Sequence, residues 1–91
     1  MIHHTYDIYL THVIASVILT MNIAIDRKIL AYLLKQDWPV TTEMIAKELE
    51  ISWNTAQVHL WRLVSEDRVK GRRVGRQNQW IITEKARKSL S

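Results

Sequence analysis

The sequence predicts an α+β fold that is mainly α-helical, with an extra apolar helix at its N-terminus. Three observations carry this prediction. An uncharged apolar stretch spans residues 8–25, helical patterns follow between residues 26 and 66, and two strand-like runs flank a basic stretch, KGRRVGRQNQW, at residues 70–80. At 91 residues, the chain is long enough for one folded unit with a modest core and too short for two.

The composition excludes several classes of function. Apolar residues make up 47% of the chain, which predicts a packed fold rather than a disordered one. The absence of cysteine excludes disulfides, thiolate metal sites and cysteine nucleophiles, and fits a reducing, cytoplasmic setting. The four histidines have no carboxylates at ligand spacing, and no serine has a histidine or lysine partner at a recognisable spacing. We therefore expect neither an enzyme nor a metal or cofactor site.

Positive charge is concentrated near the C-terminus. Residues 68–88 carry eight Lys or Arg residues and one acid, whereas residues 26–67 carry five bases and seven acids. A local basic patch of this kind attracts polyanions. A basic face kept only for solubility would intersperse the two signs. The patch therefore predicts an acidic partner.

The N-terminal segment is expected to form an apolar helix. A narrow polar stripe is formed at helical spacing by Thr5, Tyr9, His12, Ser16 and Thr20, and the remaining arc is apolar. An arc that wide favours burial against both the domain and a second copy of the chain, so residues 1–22 are predicted to dimerise. A membrane anchor and a strand rich in β-branched residues are the alternatives that this segment leaves open.

The next segment predicts a helix from Arg27 to about Gln36. Asp26 is a suitable N-cap, and Ile25 and Leu30 could form a hydrophobic staple around it. The dipeptide Trp38-Pro39 should end the helix, because the residue before proline disfavours helical angles. Residues 23–91 are assigned to the folded domain, which begins with this helix, and residues 1–22 to the N-terminal apolar helix.

Two further helices are expected to follow at a very short separation. Thr41 or Thr42 caps the second, and Ser52 caps the third, which runs to about Glu66. The third helix has a core stripe of Ala56, Leu60, Leu63 and Val64, and Trp61 faces outward. Helices this close must cross steeply, as in a helix-turn-helix arrangement.

Residues 68–83 predict a β-hairpin. The expected strands are Arg68–Val74 and Gln79–Thr83, joined by residues 75–78. Val69 and Val74 would point to opposite faces of a regular strand, so a bulge is expected near Gly71. Thr83 is expected to cap a final short helix. The glycines of a nucleotide-binding loop lead from a strand into a helix, whereas the glycines here lead into a strand. The basic stretch is therefore not expected to bind a nucleotide.

In this order of elements, residues 26–90 resemble the winged helix-turn-helix domain. The closest resemblance is to small MarR-like and ArsR-like transcriptional regulators, including those of archaea and their viruses. It is carried by TTEMIAKELEISWNTAQVHLWRLVSEDRV at 41–69 and QWIITEKARK at 79–88. The family usually has glycine where this chain has Glu50 and Asp67, and glutamate adopts a left-handed backbone only at some cost.

The resemblance implies that the third helix enters the major groove of DNA while the hairpin, or wing, contacts the backbone or the minor groove. The recognition-helix candidates are Ser52, Trp53, Asn54, Thr55, Gln57, Val58, Trp61 and Arg62. The wing candidates are Lys70, Arg72, Arg73, Arg76, Gln77 and Asn78.

The expected function is sequence-specific binding of double-stranded DNA by a homodimeric transcriptional regulator. The alternative is a winged-helix protein-interaction or membrane-tethered module, whose basic patch binds RNA, an acidic protein or lipid headgroups.

Overall fold

A computed structural model describes the backbone of residues 2–90 and the side chains of residues 11–90. The polar-stripe residues Thr5 and Tyr9, and the first ten residues of the predicted dimerisation segment, therefore lie outside the described side chains. The predicted α+β, mainly helical class is confirmed. The elements are α1 Ile2–Leu34, β1 Val40–Thr41, α2 Thr42–Leu49, α3 Trp53–Ser65, β2 Val69–Val74, β3 Gln77–Ile82 and α4 Glu84–Leu90.

Helix α1 is one continuous helix of 33 residues. The prediction that Asp26 is the N-cap of a separate helix is wrong, because Asp26 lies inside α1. No glycine or proline interrupts residues 2–34, so nothing in this stretch forces the backbone out of the helix. The Asp26 carboxylate bonds to α3 instead of to its own backbone.

The core lies where the C-terminal part of α1 packs against α2, α3 and the sheet. It is built by Ile29, Leu30 and Leu33 of α1 together with Val40, Ile45, Ala46, Ala56, Leu60, Leu63, Val69, Trp80, Ile82 and Ala86. Val64 of the predicted stripe is half-buried at the margin of this cluster. The apolar stripes of the sequence thus identify most of the core.

The helix-turn-helix is formed as the caps predict. Thr41 accepts the N–H of Met44, and Ser52 accepts the N–H of Thr55. Between the two helices Glu50 adopts the left-handed conformation, with φ 56°. This is the position at which the related domains usually carry glycine, so the turn keeps its geometry at the expense of backbone strain.

The sheet has three antiparallel strands in the order β1-β3-β2. The pairing of β2 with β3 runs without a break from Val69 opposite Ile82 to Val74 opposite Gln77, so the predicted bulge near Gly71 is wrong. Val74 needs no bulge because it is exposed on the outer face of the sheet. The hairpin loop has two residues, and β3 begins at Gln77 rather than at Gln79.

Gly71 instead allows the Trp80 ring to lie close against strand β2. It lies opposite Trp80, and a Cβ added there would overlap Cζ3 of the Trp80 ring and stand 2.7 Å from its Cε3. No side chain fits at that distance, so the ring can cover the strand only because position 71 is glycine.

The N-terminal part of α1 extends beyond the core. Its large apolar side chains between residues 13 and 23 are all about half exposed: Val13, Ile14, Val17, Ile18, Leu19, Met21 and Ile23. Within the described part of the chain, no helix combines the length and the apolar character that crossing a membrane requires.

Candidate nucleic-acid interface

The basic hairpin and the N-terminal end of α3 enclose a cleft of about 320 Å³. Two arginines of the hairpin line this cleft, and so do residues at the N-terminal end of α2. The lining residues are Thr41, Thr42, Glu43, Trp53, Arg73, Arg76, Gln77 and Asn78. The fold thereby brings part of the predicted recognition helix and part of the predicted wing to one surface.

The outward face of α3 carries several of the predicted contact residues. Trp53, Asn54, Val58 and Trp61 are exposed, and Val58 is 64% exposed although it is apolar. Amide, methyl and aromatic groups at successive turns of one helix face are the groups that read base edges in a major groove.

Gln57 is held in place by a short chain of hydrogen bonds. The indole Nε1 of buried Trp80 donates to Oγ1 of Thr42 at 2.8 Å, and that hydroxyl donates to Oε1 of Gln57 at 2.9 Å. With its oxygen occupied, the Gln57 amide retains its NH₂ group as a donor. These hydrogen bonds link β3, α2 and α3, so they also fix the hairpin relative to α3.

Trp61 packs edge-on against Trp80. The ring centroids are 5.1 Å apart and the planes cross at 84°. Trp80 is 1% exposed, whereas Trp61 is 52% exposed. One side of Trp61 is therefore anchored to the base of the wing, and the rest of its ring remains available for a contact.

Arg62 is turned away from the cleft. Its Nη2 donates to both carboxylate oxygens of Asp26, at 2.9 and 3.0 Å. Nδ1 of buried His59 lies 2.7 Å from Oδ1 of Asp26 and 2.7 Å from Nη2 of Arg62. This geometry does not favour Arg62 as a DNA contact of the third helix, because its guanidinium already pairs α3 with α1.

Two further candidates are engaged in the helix cap. The Oγ of Ser52 accepts the backbone N–H of Thr55 at 3.0 Å and donates to Oγ1 of Thr55 at 2.8 Å. Both residues stand at the N-terminal end of α3, where the cap satisfies a backbone N–H of the first turn.

The strand register divides the bases of the wing between two faces. Arg73 and Asn78 are opposite one another on the face that carries Trp80, and they line the cleft. Lys70 and Arg72 lie on the other face, beside Ile81. The sequence could not separate these two pairs, since the separation depends on the two-residue loop that sets the register.

No metal site accompanies this surface. Among the described residues, no group of three or more histidine and carboxylate side chains is arranged to hold an ion. The described acids and histidines instead form the Asp26–His59 pair and exposed positions.

The fold is shared with several solved structures. A mutant form of Lactococcus lactis ZitR is 29% identical, with a TM-score of 0.64 over 71% of this chain and 45% of that chain. The Zalpha domain of Carassius auratus PKZ, in complex with Z-DNA, is 24% identical with a TM-score of 0.62 over 69% of this chain and 98% of that domain. Reduced HlyU from Vibrio cholerae is 18% identical with a TM-score of 0.65 over 88% of this chain and 85% of that chain.

This chain spans about half the length of three of the ZitR chains that it matches. No protein-family model and no curated protein sequence matches it. The specific resemblance to MarR-like or archaeal regulators stays a prediction. The element order, the sheet topology and the three neighbours together establish that residues from α1 to α4 form a winged helix-turn-helix domain, with α1 extended at its N-terminal end.

Proposed function

We propose that this protein binds double-stranded DNA as a homodimeric transcriptional regulator. The observation that carries the proposal is the cleft in which Arg73, Arg76 and Asn78 of the wing meet Trp53 of α3. Guanidinium groups beside an exposed helix face suit a ligand that offers phosphates and base edges side by side.

In this proposal α3 lies in the major groove. Asn54 and the NH₂ group of Gln57 would meet base edges, since amide side chains pair well with adenine. Val58 would contact a thymine methyl group, and Trp61 would pack on sugar or phosphate. Arg62 makes no contribution to base reading, because Asp26 holds it.

The wing would supply most of the affinity. Arg73 and Arg76 would contact phosphates or enter the minor groove, and Gln77 and Asn78 would add neutral hydrogen bonds. If each protomer neutralises about four phosphates, the slope of log K against log salt concentration for a dimer is roughly −7.

The dimer would form through α1. Ile14, Val17, Ile18 and Met21 recur at the spacing by which helices pair, and each is about half exposed. Packing these side chains against the same side chains of a second copy would remove a continuous apolar surface from water. Two wings related by a two-fold axis would then read a palindromic operator.

Fluorescence anisotropy of labelled duplexes, measured across a range of salt concentrations, tests the proposal. The double variant Arg73→Ala/Arg76→Ala should weaken binding to every duplex. It should also reduce the salt slope by about 0.9 for each phosphate that is no longer neutralised, or roughly 4 for the dimer. An affinity and slope equal to those of the unmodified protein would refute the assignment of the cleft to DNA.

The set of duplexes should include alternating CG sequences in both right-handed and left-handed forms, because the Zalpha neighbour is bound to Z-DNA. A preference for the left-handed form would retain the cleft as the interface but replace major-groove reading by recognition of backbone shape. Equal binding of single-stranded RNA would favour the alternative, in which the basic patch serves RNA.

A further inference from the structure

The outer face of the wing carries a second surface, separate from the cleft lined by Arg73 and Arg76. Lys70 and Arg72 line a shallow cleft of about 290 Å³ together with Pro39, Gly71, Gln79 and Ile81. Cross-strand pairing places Lys70 opposite Ile81 and Arg72 opposite Gln79, on the face away from Trp80. DNA held by Arg73 and Asn78 would leave this face open.

An adjoining cleft extends the surface toward α1 and α4. It also measures about 290 Å³, shares Pro39 and Ile81 with the first, and includes Trp38 and Arg87. Trp38 is 70% exposed, the largest value among the exposed large apolar side chains of the described residues. A tryptophan beside a proline and a half-exposed isoleucine forms an apolar patch of the kind that protein partners cover.

The rim of this surface is basic. Lys70, Arg72 and Arg87 line the two clefts, whereas Asp37 is their single acid. None of these three bases makes a side-chain ion pair with a described residue. A partner with carboxylates around a bulky apolar side chain would match both the charge and the patch.

We propose that this face, defined by Trp38, Pro39, Lys70, Arg72, Ile81 and Arg87, docks an acidic peptide segment of a protein partner through a bulky apolar side chain. The apolar side chain sits between Trp38 and Ile81, and flanking carboxylates pair with Lys70 and Arg72. A nucleic acid fits less well, because the middle of the surface offers apolar groups rather than donors for phosphate. Docking here is compatible with DNA on the opposite face.

Titration of the ¹⁵N-labelled full chain with a defined peptide tests the proposal. The probe is a fluorescein-labelled peptide in which Asp and Glu alternate with Leu and Trp, and the controls replace its acids by Lys or its Leu and Trp by Ser. Binding should shift the indole signal of Trp38 and the amide signals of residues 70–72 and 79–81. Both control peptides should bind at least about tenfold more weakly.

Two matched charge reversals separate the two faces. Lys70→Glu/Arg72→Glu should weaken peptide binding at least about tenfold, and it should weaken DNA binding less than the same reversal at Arg73 and Arg76, which acts directly in the cleft. Arg73→Glu/Arg76→Glu makes the same change in charge at the cleft. It should weaken DNA binding much more than peptide binding. Trp38→Ala should weaken peptide binding and leave DNA binding unchanged.

Three results would overturn the inference. One is no shift with peptide at about 1 mM, where even weak specific binding is detectable. Another is that the peptide shifts only the signals of α3 and of the cleft that Arg73 lines. The third is a loss of DNA affinity on outer-face reversal equal to that on inner-face reversal, which would assign Lys70 and Arg72 to the DNA interface.

Discussion

At the scale of single residues, Trp80 connects the fold to the candidate interface. Its indole N–H bonds to Thr42, its ring makes a T-shaped contact with Trp61, and the same ring lies close against Gly71. One buried side chain thus contacts α2, α3 and β2. Because aromatic rings bury large areas and permit few orientations, Trp80 holds the wing at a defined angle to the recognition helix.

The substitution Gly71→Ala should destabilise the domain by about 1–3 kcal/mol, because the new methyl group would overlap the Trp80 ring. Urea denaturation followed by circular dichroism measures this change. Arg72→Ala, the next residue on the opposite face, is the matched control and should change the unfolding free energy by less than about 0.5 kcal/mol.

A double-mutant cycle identifies the cause. In a Trp80→Leu background, the additional cost of Gly71→Ala should fall, because the ring that it overlaps is gone. An unchanged cost would mean that the strand backbone, and not the ring, excludes a side chain at position 71.

Asp26 is the residue that ties the long helix to the recognition helix. Its carboxylate accepts two hydrogen bonds from Arg62 and lies beside His59, in a partly buried position. Charge-assisted bonds of this kind are stronger than neutral ones, and losing one partner leaves the other incompletely satisfied.

We expect Asp26→Asn to lower the unfolding free energy by about 1–3 kcal/mol, since the neutral amide cannot balance the guanidinium of Arg62. Thermal denaturation provides the measurement. Glu66→Gln is the control: its carboxylate stands 3.7 Å from Arg68 at the surface, where an ion pair contributes about 0–1 kcal/mol. Equal effects of the two changes would show that the Asp26 cluster is no stronger than a surface pair.

At the scale of elements, α3 and the β2–β3 wing have different expected contributions. The exposed face of α3 offers amide and apolar groups, and the inner face of the wing offers arginines. Groups on base edges confer sequence preference, whereas groups on phosphates confer affinity that depends on salt.

Asn54→Ala should therefore reduce discrimination between duplexes by about 1–3 kcal/mol at one base pair, with little change in the salt slope. Competition binding against single-base variants of a selected duplex measures this. Ser65→Ala, exposed near the far end of the same helix, is a suitable control. Unchanged discrimination in Asn54→Ala would remove Asn54 from the reading residues.

At the scale of the whole molecule, the exposed apolar part of α1 determines the expected assembly. A helix that is apolar nearly all round is normally buried, and α1 is buried only where it meets the core. A second copy is the simplest partner, because identical helices can cover one another symmetrically.

The double variant Val17→Asp/Met21→Asp should convert a dimer into a folded monomer, because two carboxylates per chain would have to be desolvated in the interface. Light scattering coupled to size-exclusion chromatography gives the mass, and circular dichroism checks the fold. Ser16→Asp, on the polar stripe of the same helix, should leave the mass unchanged. A monomeric mass for the unmodified chain would refute the dimer directly.

The sequence by itself determined the elements whose signals are local. Thr41, Ser52 and Thr83 cap their helices through backbone N–H groups three residues away, so each of these bonds joins close neighbours in the sequence. The apolar stripes also identified the core, because helical periodicity is a property of short segments. These signals were sufficient to predict the fold class and the order of the elements from α2 onward.

The tertiary structure alone decided the features that join distant residues. Thr42 meets Gln57 across 15 positions, Asp26 meets His59 across 33, and Trp80 meets Thr42 across 38. The assignment of Asp26 as a cap was wrong because its carboxylate bonds to α3. The bulge at Gly71 was wrong because Val74 is exposed on the outer face of the sheet, so Val69 and Val74 do not have to share a face. The register of the wing, set by its two-residue loop, decided which arginines face the cleft, because shifting a strand by one residue exchanges its two faces.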